Sequence, residues 1–109
     1  MAVQKKRIIY LTGFMGSGKS TIGPILANTL GYRFIDLDSY IEKLVSKTVS
    51  RIFAEQGEPA FRLLETEAVQ SLTREQDMII SLGGGTLATG ENLRLVKEHG
   101  ILIYLKNRH

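Results

Sequence analysis

The nine-residue stretch GFMGSGKST, Gly13 to Thr21, sets three glycines and one lysine between two segments of different periodicity. Before it, Ile8-Ile9-Tyr10-Leu11 reads as the middle of a buried strand from Arg7 to Thr12. After it, Ile22, Ile25, Leu26 and Leu30 recur at helical spacing from about Gly18, and Gly31 supplies a C-cap signal. The loop fits the pattern G-x-x-x-x-G-K-[ST] in full. Glycines permit backbone angles that turn successive N–H groups into a concave anion nest. The helix that starts there adds the positive end of its dipole. Lys19 brings a mobile charge to the outer phosphates, and Ser20 offers a hydroxyl to magnesium. A tight strand-to-helix turn carrying a chance lysine is the alternative, and the agreement of motif with context argues against it.

The rest of the chain repeats the alternation of strand and helix. Arg33 to Leu37 is a second short strand, after which Asp38 or Ser39 can cap a helix to about Ser46. Thr48 to Gln56 forms another short helix ending at Gly57, and Pro59 suits the first turn of a long helix to about Thr73. Asp77 to Leu82 is a third strand, broken by Gly83-Gly84-Gly85; Gly90 to His99 is a helix ended by Gly100; Ile101 to Leu105 is a fourth strand. Pro24 deletes one backbone bond near the second turn of the first helix, and a local kink is expected there. The alternation predicts an α/β chain: a central parallel sheet with helices on both faces, α/β/α in three layers.

At 109 residues one domain is expected. A net charge of +3 is too mild to argue for nucleic acid, and Lys5-Lys6-Arg7 reads as a solvated strand entry. With no cysteine there is neither disulfide nor thiolate chemistry. No apolar run approaches the ~18 residues that span a bilayer. A cytoplasmic monomer with no membrane partner is expected. His99 and His109 are isolated and are assigned to no metal.

A phosphate loop alone does not separate an ATPase, a GTPase and a kinase, but three further stretches bear on what receives the phosphate. In Phe34-Ile35-Asp36-Leu37-Asp38, period 2 sets both carboxylates on one side at a strand's end, where ligands of parallel sheets bind. One can orient a hydrated metal and the other accept a hydroxyl proton; the alternative is that Asp38 merely caps the next helix. In Gly57-Glu58-Pro59-Ala60-Phe61-Arg62-Leu63-Leu64-Glu65, Arg62 is expected in a first helical turn. Its fork suits a substrate carboxylate, with Glu65 fixing its orientation. A surface i,i+3 ion pair is the commoner outcome of that spacing. In Ser81-Leu82-Gly83-Gly84-Gly85-Thr86 the glycines let a ligand approach the backbone; a plain flexible loop is the alternative. Tyr40, Phe53 and Phe61 read as core or wall residues.

Taken together, GFMGSGKST, FIDLDSYIE, IFAEQGEPAFRLLE, SLGGGT and ILIYL resemble the shikimate kinase family in order and spacing, from about Ile8 to Leu105. The resemblance implies a nucleoside-monophosphate-kinase-like P-loop fold and ATP-dependent phosphorylation of the shikimate 3-hydroxyl, on the route to chorismate and the aromatic amino acids. It implies that Gly16, Ser17, Gly18, Lys19, Ser20 and Thr21 hold ATP phosphates, and that Ser20 and Asp36 serve Mg2+, Asp36 through water. It implies Lys19 and Asp38 as catalytic residues, Asp38 binding the shikimate hydroxyls as the candidate base. Arg62, facing the carboxylate, and Gly83, Gly84 and Gly85 would complete the substrate site. In the family the chain continues past the ILIYL strand into a lid with a phosphate-binding arginine, a second carboxylate-binding arginine, a last strand and an adenine-binding segment. Residues 106–109 match none of these, and Arg108 fits no motif position. A fragment lacking lid and last strand is therefore expected, with little activity alone, since such an arginine is worth ~10³-fold or more in rate. The open flank at Ile101 to Leu105 is expected to invite association. Another small-metabolite kinase, such as a gluconate kinase, and a non-catalytic nucleotide-binding module are the competing readings.

Overall fold

The computed structural model describes residues 8–13 and 19–106. Its strands are β1 (Ile8–Gly13), β2 (Arg33–Asp36), β3 (Met78–Ser81) and β4 (Ile101–Leu105), all parallel and ordered β2-β3-β1-β4. The helices are α1 (Lys19–Leu30), α2 (Leu37–Val45), α3 (Val49–Gln56), α4 (Glu58–Leu72) and α5 (Gly90–His99). Parallel neighbours need crossovers, and the helices supply them.

Alternation along β1 explains the layers. Ile8 and Tyr10 join Met78 and Ile80 of β3 in a core with Ile41, Ile52, Phe61, Val69 and Val96 from α2 to α5. Leu11 and Ile79 turn the other way and meet Ala27 of α1, with Phe34 and Ile103 beside them. The sheet is thus covered by α1 on one face and by α2–α5 on the other, the three-layer α/β arrangement expected. Being buried on both sides, β3 is apolar from Met78 to Ile80 without alternation. At the edge, β4 leaves Ile101 and Tyr104 exposed.

Helix α1 continues through Pro24 to Leu30 as expected, because a proline in the second turn deletes a single intrahelical bond. Other local expectations need correction. The cap of α2 is Asp36, not Asp38 or Ser39: its Oδ2 accepts from the Ser39 N–H at 3.0 Å and from Ser39 Oγ at 2.9 Å. That bond starts the helix at Leu37, so Asp36 ends a strand while Asp38 lies in the first turn of a helix. The two carboxylates therefore do not share one strand face. A short 3-10 turn, Thr86–Ala88, follows the triple glycine and has no signature in the sequence. Gly57 closes α3 and opens α4 with φ 88°, a value that L side chains rarely adopt.

Gly100 sets the approach of α5 to the sheet. A Cβ there would collide with the Ile8 carbonyl and lie 3.0 Å from Tyr10 Cδ2. Tyr10 is buried and the Ile8 carbonyl belongs to the sheet, so neither can yield easily. Gly100→Ala is expected to destabilise the fold by about 1–3 kcal/mol, the usual range for overpacking, read as a lower denaturant midpoint with unchanged slope.

Candidate active site

The carboxyl ends of β2, β3 and β1 lie side by side. Ser81 is in register with Asp36 on one flank and Leu11 on the other, and the Leu82 N–H donates to the Leu11 carbonyl at 2.9 Å. Strand β1 ends at Gly13 at this rim, where α2 follows β2 and the triple glycine follows β3. Their convergence is the usual place for a ligand in a parallel sheet.

A cavity of about 140 Å³ opens at the rim. Asp38, Arg62 and Glu65 supply its charges, Gly83–Gly85 its backbone wall, and Val49, Phe53 and Phe61 its apolar wall. The Phe53 and Phe61 rings pack with centroids 4.9 Å apart, and the Arg62 guanidinium lies 5.3 Å from the Phe61 centroid. Phe53 and Phe61 thus form wall and core, as expected, and Tyr40 packs against the core.

Arg62 is the fifth residue of α4, at the start of its second turn and one residue deeper than expected, because the helix begins at Glu58. Its Nη1 donates to Glu65 Oε1 at 3.0 Å, while Nε and Nη2 reach Glu58 Oε2 at 3.3 and 3.2 Å. The Arg62–Glu65 pair is not a surface pair, for the Glu65 side chain is only 1% exposed. Glu65 occupies the apolar stripe of α4 with Phe61, Ala68, Val69 and Leu72. Its position in that stripe is the signal that could have marked it as a buried carboxylate. Its second oxygen, Oε2, accepts from Thr86 Oγ at 2.7 Å, a contact that the sequence did not disclose. Burial opposes the charge of Arg62, but the two glutamates outweigh it and raise the pKa, keeping the guanidinium charged.

Asp38 faces the glycine wall: a Cβ on Gly83 would lie 3.1 Å from its Oδ1. On Gly85 a Cβ would lie 2.5 Å from Arg62 Nη2. The two charged groups thus flank the same stretch of backbone, and side chains at 83 and 85 would displace them. A Cβ on Gly84, which also lines the cavity, would meet nothing within 4 Å, so that backbone is open to approach. Burial, followed by the negative charges of Asp36, Glu65 and Glu42, pushes the Asp38 carboxyl above its usual range; Arg62 opposes this. A raised carboxyl is better matched to accept a proton near neutral pH.

Lys19 opens α1, and its Nζ donates to the Gly13 carbonyl at 2.9 Å, which holds the cation at the end of β1. It does not line the cavity that joins Asp38, Arg62 and the glycines, but stands at the neighbouring strand end. Ser20 and Thr21 are exposed in the first turn of α1. Gly16, Ser17 and Gly18 lie outside the described residues, as do Lys5-Lys6-Arg7, Arg108 and His109. Asp36 is exposed at the rim, and both of its described hydrogen bonds use Oδ2. No group of three or more His, Cys, Asp or Glu that could hold a metal occurs among the described residues. His99 Nδ1 lies 2.9 Å from the Leu95 carbonyl, as a helix-end contact. No described helix is long and apolar enough to cross a membrane.

Comparison with known proteins agrees with this fold. The family model described as shikimate kinase matches residues 15–109. A shikimate kinase of Chlorobium phaeobacteroides is 58% identical over 100 residues, covering 92% of this chain and 53% of the relative. One of Chlorobaculum tepidum is 54% identical, covering 92% and 52%. The structure of shikimate kinase from Acinetobacter baumannii in complex with shikimate superposes with a TM-score of 0.90 at 38% identity, covering 94% of this chain and 57% of that one. The present chain spans about half the length of the curated relatives it matches. The chain belongs to the shikimate kinase family.

Proposed function

We propose that this chain carries the substrate half and the phosphate loop of an enzyme that phosphorylates the 3-hydroxyl of shikimate with ATP. The observation behind this reading is one small cavity in which an Asp38 carboxylate, an Arg62 guanidinium and glycine backbone face a common volume. A small polyhydroxylated acid needs all three. The Arg62 fork pairs with its carboxylate, the backbone of Gly83–Gly85 lies against it, and Asp38 accepts bonds from its hydroxyls. Asp38, its pKa raised by burial, then takes the proton of the reacting hydroxyl as that oxygen bonds to the γ-phosphorus and the bond from this phosphorus to the bridging oxygen breaks, releasing ADP. The apolar wall of Val49, Phe53 and Phe61 limits water beside these groups.

Residues 16–21 would hold the phosphates of ATP, with Lys19 drawing its charge toward the outer ones. The oxygens of Ser20 and Asp36 are of the hard type that magnesium prefers, and Asp36 keeps Oδ1 for contact through a water while Oδ2 caps α2. Held there, magnesium would neutralise negative charge on the phosphates. The setting carried by this reading is a cytoplasmic, monomeric enzyme on the route to chorismate.

The test is phosphoryl transfer by the natural polypeptide containing this sequence, offered shikimate, gluconate and nucleoside monophosphates in parallel. Turnover restricted to shikimate is expected. Turnover with gluconate but not with shikimate would overturn the choice of substrate, and nucleotide binding without transfer to any acceptor would favour a binding module. Lys19→Ala is expected to weaken ATP by about ten- to a hundredfold, the worth of one charge-assisted contact, with shikimate binding unchanged. Calorimetric titration of each ligand reads the two effects separately.

A further inference from the structure

Thr86 lies immediately beyond the triple glycine, is fully buried, and spends all three of its polar groups on the site's frame. Its N–H donates to the Gly83 carbonyl at 3.3 Å. Its carbonyl accepts from Asn92 Nδ2 of α5 at 3.1 Å, and its Oγ donates to Glu65 Oε2 at 2.7 Å. Glu65 passes the constraint on, since its other oxygen holds Arg62. Asn92 is itself fully buried, and its Oδ1 has no partner among the described hydrogen bonds, so the amide serves the contact made by its Nδ2. Three consecutive glycines would leave the loop slack by their own conformational freedom. One residue ends that freedom and also fixes the carboxylate that aims the guanidinium.

We propose that Thr86, clamped by Asn92, is a positioning residue that sets the Arg62 guanidinium and the Gly83–Gly85 backbone against the carboxylate of the acceptor acid. Its methyl and hydroxyl are not equivalent in this role. The hydroxyl donates to Glu65; without it Oε2 is a buried acceptor with nothing to accept from, and Glu65 is released to rotate toward Arg62 with both oxygens. The guanidinium then follows the carboxylate away from Gly85. The consequence is specific to one substrate group, because Lys19 is held at the end of another strand, on the Gly13 carbonyl, and takes no part in these described bonds.

This inference rests on the proposed shikimate activity, and the experiment separates the two. In the natural polypeptide containing this sequence, Thr86→Val preserves shape and removes the hydroxyl. Its KM for shikimate is expected to rise by about tenfold or more, as for a lost hydrogen bond to a charged group, with kcat and the KM for ATP within about threefold. Thr86→Ser is expected to restore the wild-type KM. Against the carboxamide of shikimate, which gives Arg62 no charge to meet, wild type and Thr86→Val are expected to be alike. An unchanged KM for shikimate in Thr86→Val, an equal loss toward acid and ATP, or no rescue by serine would overturn the role. Should Thr86→Val fail to fold, Thr86→Ala is read instead. It leaves room for a water in place of the hydroxyl and is expected to show the same acid-specific rise in weaker form; a KM equal to wild type would overturn the proposal. Absence of shikimate turnover in the wild type would instead overturn the functional reading on which it stands.

Discussion

Asp38→Asn is expected to lower phosphoryl transfer to shikimate by about 10²–10⁴-fold, the range for loss of a general base, while ATP affinity stays near that of the wild type. An asparagine retains the shape and one acceptor oxygen, so the substrate hydroxyls keep part of their binding. What is lost is the capacity to take a proton. The same variant carries a second expectation. In the folded chain the Asp38 carboxyl is pushed above its ordinary range, chiefly by burial and then by Asp36, Glu65 and Glu42. The folded state therefore holds the Asp38 proton more tightly than the unfolded state does, and ionisation of this group opposes folding. That opposition is absent below the unfolded value of about 3.9, grows as pH rises through the raised folded value, and is complete above it. Asp38→Asn removes it. The variant is expected to melt above the wild type at neutral pH, with the difference closing as pH falls below about 4. Thermal melts across pH, paired with a coupled assay, check both parts. A variant that is less active and also less stable at neutral pH would contradict the electrostatic account of this carboxylate.

Removal of Arg62 should act on stability and binding together. Arg62→Met leaves the stem volume but takes the cation from Glu65, whose side chain is 1% exposed and keeps, among the described residues, only the Thr86 hydroxyl. Stripping one member from a buried pair costs about 3–5 kcal/mol. The lower end is expected here, since Arg62 itself is 28% exposed and the cavity admits water. For a chain of this size such a loss lowers Tm by roughly 10–20 °C. The contact with Glu58 contributes little to this figure, because Glu58 is 62% exposed and a solvated pair is worth at most about 1 kcal/mol. Adding Glu65→Gln to Arg62→Met removes the stranded charge while keeping an acceptor for Thr86, so most of the stability should return. Shikimate affinity should not return, because the guanidinium is still missing. Full recovery of affinity in the double variant would show that Arg62 serves the fold and not the acid.

The sequence disclosed the frame more completely than the site. The helix from Gly90 to His99 and the strand from Ile101 to Leu105 were read with their observed limits, because Gly90 and Gly100 punctuate a change of period from helical to extended. The parallel sheet followed from the alternation of elements, but the order β2-β3-β1-β4 did not, since no local signal says which strands are neighbours. Around Phe34-Ile35-Asp36-Leu37-Asp38 the reading failed for a physical reason. Strand alternation and a helix cap both place a carboxylate usefully, and only the bonds from Asp36 to Ser39 show where one period gives way to the other. The 3-10 turn at Thr86–Ala88 is too short to leave a pattern. The Glu65–Thr86 bond joins residues 21 apart, a distance at which no spacing rule operates. The Arg62–Glu65 pair was visible as a spacing, but its burial was legible only from the apolar stripe that Glu65 interrupts.

The most direct test of the central claim, that the rim cavity receives a small hydroxylated acid, is a titration of this chain with shikimate followed by its backbone amide resonances. The account predicts saturable shifts concentrated at Asp38, Arg62 and Gly83–Gly85, with Arg62→Met abolishing them. Shifts that instead cluster in the open groove lined by α2 and the segment that follows it, at Ser39, Lys43, Lys47 and Thr48, with the rim residues unmoved, would contradict it.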